Sequence, residues 1–479
     1  MPWKLDKSKI KNYPHFDAPI SVKDAESLAN DPDRVANNTF YPLLRYYEAW
    51  QPFRAPSISN DRPKKKTRPI SYCARRDAYI YMRYRAILSE LYELKLREYG
   101  ISDAPIAYRK IAKSPANPAG KSNIDFAKDV FDEIDMMGNA VAIALDIKGY
   151  FDNLDHNEIR KRWLELLGAE DLPPDHEAVY KSITNYRYAE TKEVYRRLGF
   201  FGPKEVGNSV RDGYLLPKSE IPKQLCSNAD FRKKIAGKGG FHSTLIKKNW
   251  KRRGIPQGSP ISDILANLYL IDFDRKMVKF ARRHGGSYRR YSDDILIIIP
   301  SEKFSQADPE SYAVNQISEY GSHLVIKKSK TSVVEYRKSL DRQIFTHQSG
   351  EQGANGLEYL GFRYDGTEVF IRDTTISRYF RKIAVAARKE ANYLIRKYPG
   401  EDRAFLMSKL NISVLLQRWD RVLKFKSFKN DPKKWTFRTY AKKAAETFDN
   451  GNVFLRQLKN TKGHLRSRVE QSLIKKLGK

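Results

Sequence analysis

The sequence predicts an α+β fold, and three segments carry that prediction. Val141 to Leu145 is a short apolar run, and Ile295 to Ile299 is a β-branched run ended by Pro300, so both are typical of buried strands. Residues 373–398 instead predict one long helix, stopped by Pro399-Gly400. Its apolar positions recur at three-to-four spacing: Ile376, Phe380, Ile383, Ala387, Ala391 and Leu394. Buried strands backed by long helices favour layered α+β packing.

Each predicted strand adjoins carboxylates. Asp146 ends the first run, and Asp293-Asp294 precedes the second at a predicted hairpin turn. Aspartate pairs are also common in turns for purely local reasons, because their side chains bond the nearby backbone. If the two strands are neighbours, however, the three carboxylates converge, and two adjacent like charges favour a bound cation. Oxygen ligands suit Mg²⁺, and such a set can hold two ions about 3.5–4 Å apart; Mn²⁺ is the alternative ion.

A third segment lies between them along the chain. Residues 253–259 form a Gly/Pro turn, and the sequence then opens a helix with Ile261, Leu265 and Leu268 on one face. Asp146 with Phe151, then Gly254 to Ser262 (GIPQGSPIS), then Tyr291 to Asp294 (YSDD), resemble motifs A, B and C of reverse transcriptases. Lys330-Thr331, after the strand-like residues 324–326, resembles motif D, and residues 358–362 resemble motif E. The resemblance spans roughly residues 60 to 400.

The resemblance implies a right-hand polymerase with fingers, a palm built on an antiparallel sheet, and a helical thumb. We expect an N-terminal extension at 1–60 packed on the fingers, fingers at 61–140, palm at 141–366, and a basic helical thumb and C-terminal region at 367–479. The palm would include an insertion at about 157–250, which we expect to be partly folded.

The resemblance also assigns site residues. The catalytic, metal-binding residues are Asp146, Asp293 and Asp294, with the backbone carbonyl of Ile147 as a further metal ligand. The incoming nucleotide would contact Arg68, Arg75, Phe151, Gln257, Gly258 and Lys330, with Arg76 as a further candidate. Primer and template would contact Tyr359, Leu360, Gly361, Phe362, Arg378, Arg381 and Lys382.

Several of these residues have structural interpretations as well. The basic loop at 61–68 is equally a solvated charge run, and the basic faces of the helix at 373–398 are equally solvent-exposed surface. Phe151 is either a core residue or the bulky side chain that excludes a ribose 2′-hydroxyl from the nucleotide site. Aromatic residues among the C-terminal cations, such as Trp419, Trp435, Phe437 and Tyr440, either stack on bases or pack in a core.

Composition indicates the kind of partner. The chain has 479 residues, with 89 Lys and Arg against 57 Asp and Glu, which gives a formal charge of +32. That excess predicts a polyanionic partner, with nucleic acid as the first candidate and a membrane surface as the alternative. No long apolar stretch, signal peptide or lipidation motif is visible, so we expect no membrane association. Only two cysteines occur, Cys73 and Cys226, which argues against disulfides or a zinc finger and suits the cytoplasm.

Within the family, the amino-acid sequences of residues 107–110, 121–124 and 172–181 resemble those of the bacterial abortive-infection and defence-associated branch. This resemblance implies an antiviral enzyme that makes cDNA from dNTPs on a structured non-coding RNA. Homo-oligomer formation is an open alternative to a monomer. Template-independent or protein-primed DNA synthesis by the same site stays open. Two binding functions also stay open, an inactive palm that acts by assembly and an intron-maturase-like RNA-binding protein.

Overall fold

Strands and helices follow one another along the chain in the mixed order of an α+β fold. The structure is a computed structural model that describes residues 2–50, 66–207, 209–240, 242–340, 342–350, 354–420, 436–448 and 452–478. The strands are β1 Leu43–Trp50, β2 Lys66–Tyr72, β3 Ala112–Ser114, β4 Asn117–Gly120, β5 Ala140–Asp146, β6 Arg187–Glu190, β7 Phe201–Val206, β8 Ser209–Tyr214, β9 Lys247–Lys248, β10 Ser287–Tyr291, β11 Asp294–Pro300, β12 Ser332–Ser339, β13 Arg342–Gly350, β14 Leu357–Tyr359, β15 Phe362–Tyr364 and β16 Val369–Ile371. The helices are α1 Val22–Ala29, α2 Pro32–Ala36, α3 Arg75–Glu98, α4 Asn123–Met137, α5 Tyr150–Asn153, α6 His156–Leu167, α7 Pro174–Thr184, α8 Thr191–Arg197, α9 Asn228–Asp230, α10 Ser262–Tyr269, α11 Ile271–Arg283, α12 Ser301–Ala307, α13 Pro309–Ser318, α14 Asp373–Lys397, α15 Arg403–Ser408, α16 Ile412–Asp420, α17 Phe437–Thr447, α18 Asn452–Gln457 and α19 Thr461–Leu477.

The palm is a five-stranded sheet in the order β10–β11–β5–β12–β13. Every neighbouring pair in this sheet is antiparallel. The two apolar runs singled out in the sequence are its strands β5 and β11, which lie side by side at the centre. The predicted antiparallel palm sheet is therefore confirmed, and the predicted right-hand architecture with it.

Both faces of β11 are buried, which explains why its five residues from Ile295 to Ile299 are all apolar. Ile295, Ile297 and Ile299 enter one core with residues of α10 and α11. Leu296 and Ile298 enter a second core, on the other face, with residues of α4 and α14. Alternate side chains of a strand point to opposite faces, so a strand covered on both sides reads as a continuous apolar run. Each fully buried side chain of this size contributes about 1.5–3 kcal/mol.

The fingers sheet combines two distant parts of the chain. Its order is β2–β1–β6–β9, with β1 antiparallel to β2 and parallel to β6. Strands β6 and β9 come from the insertion at 157–250, and a shared core joins Phe16 and Leu44 to Val194, Phe201 and Ile235. The insertion, which we expected to be partly folded within the palm, forms helices and strands in its described residues, and β6 and β9 extend the fingers sheet and not the palm sheet. The predicted boundary at residue 60 likewise separates β1 from its partner β2.

The thumb is a helical bundle built on α14. Its buried residues Ile383, Ala387 and Leu394 share a core with Leu465 and Val469 of α19. The predicted long helix is present as α14, and Arg372 is its N-cap residue. The predicted strand at 324–326 is reduced to one bridge between Ile326 and Ile147.

The aromatic residues of the C-terminal region divide between the described and the undescribed parts of the chain. Tyr440 packs in the thumb core, and its hydroxyl accepts a hydrogen bond from Asn123 Nδ2 at 2.8 Å. Phe437 packs beside it, so the structure favours a core role for these two rings. The side chain of Trp419, and all of Trp435, lie outside the described residues. None of the helices in the described part of the chain is long and apolar enough to cross a membrane.

Candidate active site

The hairpin between β10 and β11 holds two of the three candidate aspartates. Tyr291 pairs with Asp294, so Ser292 and Asp293 form a two-residue turn. Ser292 has φ of +62°, a left-handed conformation that two-residue hairpin turns require and that serine rarely adopts elsewhere. The Ser292 hydroxyl accepts a hydrogen bond of 3.1 Å from the Tyr108 hydroxyl. The turn predicted from the sequence is thus a tight hairpin end held by a side chain of the fingers.

Strand register brings the third aspartate to the same place. Asp146 is paired directly with Asp294 across β5 and β11. The backbone N–H of Ile147 donates to the carbonyl oxygen of Asp293 at 3.0 Å, which ties the end of β5 to the turn. Asp146, Asp293 and Asp294 therefore meet at one end of the palm sheet, as the sequence predicted.

The three carboxylates repel one another. Burial raises the pKa of Asp293, and the negative charge of Asp146 raises it further. Burial raises the pKa of Asp294 to about 7, with additional contributions from Asp293 and Asp146. Asp294, the first residue of β11, nevertheless remains exposed to solvent. A divalent cation would reverse both effects, because an opposite charge favours the ionised form.

Lys330 supplies the positive charge beside Asp146 in this structure. Its ammonium group forms an ion pair with Asp146 Oδ2, and it lies in a short 3₁₀ turn at Lys328–Lys330 that directly precedes β12. As the side chains stand, no three carboxylate, imidazole or thiolate groups within the described ranges converge closely enough to hold a metal ion. The donor type nevertheless fits Mg²⁺, since the three aspartates at this end of the sheet all offer oxygen ligands and their mutual repulsion favours a bound cation.

A buried ion pair lies behind the Ser292–Asp293 turn and is bonded to it. Arg290 and Asp274 are both 0 % exposed, and their side chains form two hydrogen bonds of 2.6 and 2.7 Å. Arg290 Nη1 also donates to the carbonyl oxygen of Ser292 at 3.0 Å, and Nη2 donates to that of Asn267, in α10, at 3.2 Å. One guanidinium therefore links the turn, α10 and α11. Sequence reasoning missed this role, because Asp274 carries no motif.

The GIPQG loop docks on both β2 and the start of the palm. The N–H of Ser71 donates to the carbonyl oxygen of Gln257 at 2.8 Å, and the N–H of Ile255 donates to that of Phe151 at 2.9 Å. Gly258 has φ of +113°, and a Cβ there would lie 2.6 Å from the carbonyl oxygen of Ser71. Only glycine allows this close approach. Gln257 and Gly258 thus lie where the fingers meet the palm, beside the strand that carries Arg68.

The candidate nucleotide-binding arginines of the fingers lie in different environments. Arg68, in β2, lies close enough to the site for its charge to lower the pKa of both Asp293 and Asp152, against the larger effect of burial. Arg75 is only 2 % exposed, and its guanidinium is paired with Asp17 at 3.4 Å and donates to the Tyr13 carbonyl at 3.2 Å. The assignment of Arg75 to the nucleotide was wrong, because a guanidinium buried in this way braces the N-terminal extension.

Arg76 also braces that extension. Its guanidinium donates to Asn38 Oδ1 at 2.9 Å, and its backbone N–H donates to Asp17 Oδ2 at 3.0 Å. Residues 61–65 of the basic loop lie outside the described part of the chain. Arg68 is therefore the fingers cation that the structure brings near the carboxylates.

Phe151 lies in α5, directly after the Asp146 strand and its turn. The ring is partly buried against the first core and contacts Tyr150 edge-on, with ring centroids 5.9 Å apart. The ring of Tyr150, in contrast, is fully buried, and its hydroxyl donates to the carbonyl oxygen of Ala266 at 2.5 Å. Phe151 is thus the ring of this pair that keeps some solvent exposure.

The segment that resembles motif E, residues 358–362, is a tight hairpin next to the palm. Tyr359 pairs with Phe362, so Leu360 and Gly361 form the turn, and both have positive φ. The rings of Tyr359 and Phe362 are buried, and the Tyr359 hydroxyl has no hydrogen-bond partner among the residues that the structure describes. The exposed part of this motif is therefore the turn and not the two aromatic rings.

Arg372 is a further cation at the site that sequence reasoning missed. Its backbone N–H donates to the carbonyl oxygen of Gly361 at 3.0 Å. Its charge lowers the pKa of Asp294 against the larger effect of burial. Because it follows the hairpin outside any motif, the sequence offered no signal for it.

The basic face of α14 is exposed. Arg378, Arg381 and Lys382 point away from the thumb core. If this face follows a duplex backbone, changing all three to alanine should reduce the slope of log affinity against log salt by up to about 2.7, because each phosphate contact contributes about 0.9. Salt titrations of duplex binding by fluorescence anisotropy measure the slope.

A charge-matched variant controls for the change in net charge. Arg275, Lys276 and Lys279 lie on α11, and their triple alanine variant removes the same charge from a different surface. We expect it to leave the slope near the wild-type value. Equal slopes for wild type and the α14 variant would identify the α14 face as solvated surface.

The solved structures that this chain resembles include telomerases, at low sequence identity. No protein-family model matches the chain. Solved structures similar to it include apo telomerase from Candida tropicalis truncated from its C-terminal domain (13% identity, 64% of this chain and 53% of that chain, TM-score 0.36). They also include telomerase in complex with the TWJ fragment of telomeric RNA, from Candida tropicalis (12%, 87% and 61%, 0.36) and from Candida albicans (14%, 95% and 66%, 0.34).

The chain spans 53% to 66% of the length of these telomerases. The right-hand polymerase architecture stands on features of the chain itself, which are the antiparallel palm sheet, the aspartate hairpin at its end and the helical thumb.

Proposed function

We propose that the protein is an RNA-directed DNA polymerase that works by two-metal nucleotidyl transfer. The observation that carries the proposal is the direct pairing of Asp146 with Asp294, with Asp293 at the adjoining turn. Three carboxylates at the end of a central antiparallel sheet suit a site for phosphoryl transfer. The +32 charge suits a nucleic-acid substrate.

The reaction joins the primer 3′-oxygen to the α-phosphorus of a dNTP, and the bond to pyrophosphate breaks. Two Mg²⁺ ions, held by Asp146, Asp293 and Asp294, would stabilise the attacking and leaving oxygens. Arg68 neutralises part of the triphosphate charge. Lys330, now paired with Asp146, exchanges that carboxylate for phosphate oxygens. The Leu360-Gly361 turn positions the primer end.

Metal removal tests the proposal directly. The purified protein should incorporate labelled dNTPs on a primed RNA template in Mg²⁺, and EDTA should stop incorporation. Product that resists alkali and is degraded by DNase would support DNA synthesis. No incorporation with Mg²⁺ or Mn²⁺, on primed and unprimed RNA alike, would contradict the proposal.

We propose further that the enzyme is of the bacterial antiviral type and copies an associated structured RNA in the cytoplasm. The support is the motif wording at 107–110, 121–124 and 172–181. Cells that express the wild type should survive phage challenge better than cells with the Asp293→Ala, Asp294→Ala variant. Sequencing of copurified nucleic acid would identify the template. Equal survival of both strains would contradict the antiviral role.

Sugar choice gives a sharper prediction at Phe151. We expect the partly exposed ring to crowd a ribose 2′-hydroxyl and to leave it without a hydrogen-bond partner, so wild type should prefer dNTPs. Phe151→Val should admit NTPs and lower discrimination by about 10- to 100-fold, since a missing contact of this kind is worth about 1–3 kcal/mol. The measurement is kcat/KM for dNTP and NTP on one primed RNA.

A neighbouring ring provides the control. Tyr150 is fully buried beside Phe151, and Tyr150→Phe keeps its shape while removing the hydroxyl that bonds Ala266. This change should leave sugar discrimination unaltered. Discrimination unchanged in Phe151→Val would assign Phe151 to core packing alone.

A further inference from the structure

The segment that leads into the GIPQG loop is strongly basic. Residues 231–262 contain nine Lys or Arg and no Asp or Glu. Five of these cations fall within residues 247–253, which we call the basic strap: Lys247, Lys248, Lys251, Arg252 and Arg253. Such a density of one charge beside a polymerase site calls for a polyanion.

The backbone of the basic strap is held in place from both sides. Lys248 pairs with Arg187 of β6, and the N–H of Asn249 donates to the carbonyl oxygen of Tyr186 at 2.9 Å. The Asn249 side-chain amide donates to the carbonyl oxygens of Thr184 and Arg253 at 3.2 and 3.1 Å. These bonds fix the strap as a shaped surface.

Trp250 projects from this fixed backbone into solvent. It is 82 % exposed, and among the large apolar residues of the described ranges only Leu340 is more exposed. Lys248 Nζ lies 4.6 Å from the centroid of the indole ring, in a cation–π contact. An indole flanked by cations offers a flat face to a base and positive charge to the neighbouring phosphates.

The strap runs toward the active site at one end. The N–H of Gly254, which follows the strap, donates to the carbonyl oxygen of Leu154 at 2.8 Å, next to the helix that bears Phe151. Lys251 acts electrostatically on Asp152 together with Arg45 and Arg68. Arg68 also acts on Asp293, so cations connect the catalytic carboxylates with the strap.

A cleft of about 590 Å³ adjoins the other end of the strap. Lys248 lines it, together with Lys181, Arg187 and the ring of Tyr186. Glu177 also lines the cleft and is paired with Lys181 at 3.2 Å. Cations and an aromatic ring are therefore also present at the Lys248 end of the strap. The combination of charge and rings is that of a track for an unpaired strand, in which bases are free to stack.

We propose that the basic strap binds single-stranded nucleic acid, with one unpaired base stacked on Trp250 and the flanking phosphates on Lys248 and Lys251. The proposal rests on the proposed function in one respect, because the strand would be the template beyond the nucleotide site. The ligand is defined by its chemistry, an unpaired base between phosphates, and RNA and DNA both provide it.

Binding of a labelled single strand of about 12 nucleotides, measured by anisotropy, tests the proposal. Trp250→Ala should weaken binding of single-stranded RNA and of DNA of the same sequence about 5- to 100-fold, and Trp250→Phe should retain most of the affinity. Binding of the corresponding blunt duplex should change less than about twofold, within the scatter expected of near-neutral surface contacts.

An abasic strand separates stacking from structural effects. On a single strand without bases, Trp250→Ala should bind as tightly as wild type, because no ring remains to stack. Lys248→Ala with Lys251→Ala should lower the salt slope for single strands by about 1.4. The charge-matched pair Lys276→Ala, Lys279→Ala on α11 should leave that slope unchanged.

Three results would overturn the proposal: wild-type affinity of Trp250→Ala for normal single strands, an equal loss on abasic strands, or a loss confined to duplex. None of these measurements requires catalysis. If the wild-type protein fails to incorporate dNTPs but the Trp250→Ala variant binds single strands more weakly than wild type, the polymerase proposal is refuted and the proposal for the basic strap is supported. If the wild-type protein incorporates dNTPs but Trp250→Ala leaves single-strand affinity unchanged, the polymerase proposal is supported and the proposal for the basic strap is refuted.

Discussion

Replacing Asp293 and Asp294 together by alanine is expected to abolish nucleotide incorporation. The two residues adjoin Asp146 at the end of the palm sheet and carry two of the three carboxylates there. Metal ions at such a site stabilise the transition state by several kcal/mol, so incorporation should fall by at least about 10³-fold. Single-turnover extension of a labelled primer on RNA measures the loss.

The fold of the double variant should be intact. Asp294 has a pKa raised to about 7 by burial and by its neighbouring carboxylates. An acid whose pKa is raised by folding lowers stability as pH rises above its ordinary pKa, and the cost grows until about pH 7. Alanine removes that cost, so without metal at pH 7 the variant should melt at or above the wild-type temperature. Wild-type incorporation by a variant that melts normally would refute the catalytic assignment.

Replacing Arg290 by methionine is expected to destabilise the protein by about 3–5 kcal/mol, the range typical of breaking one side of a buried ion pair. The substitution leaves the Asp274 carboxylate buried, with Tyr288 as its remaining side-chain donor at 2.7 Å. It also removes the donor to the carbonyl oxygen of Ser292 in the catalytic turn. Urea denaturation midpoints measure the change in unfolding free energy.

A double variant separates stability from positioning. Arg290→Met with Asp274→Leu removes both charges and should recover most of the lost stability, because buried pairs are often replaceable by apolar groups. It should not recover activity, since the Ser292 and Asn267 carbonyls still lack their donor. Its kcat should stay low while the KM for dNTP changes little. Full recovery of kcat in the double variant would reduce the ion pair to a stability element.

The parts of the site that were predictable from sequence are local patterns. The burial of β11 is predictable because all five residues from Ile295 to Ile299 are apolar. The aspartates at the strand ends can likewise be identified from the sequence. The pairing of Asp146 with Asp294 is not local. It depends on strand register between segments almost 150 residues apart, and the order of the motifs supplied the expectation.

The features that sequence missed depend on distant partners. Arg75 follows a basic loop and looks like a phosphate ligand, but Asp17, 58 residues earlier, holds it. Arg290 lies two residues before Ser292, and its structural role depends on the ion pair with Asp274. Asp274 lies in α11, which contains none of the motifs found in the sequence. The insertion joins the fingers through parallel pairing of β6 with β1, and no periodicity in either strand specifies that partner.

The most direct test of the central claim is single-nucleotide incorporation on four RNA templates that differ in one base. The wild-type protein, given a paired primer and Mg²⁺, should add the complementary dNMP to each template and should discriminate against the matching ribonucleotide. The Asp293→Ala, Asp294→Ala variant should add nothing. Incorporation that ignores the template base would contradict RNA-directed synthesis, and absence of incorporation on all four templates would contradict polymerase function.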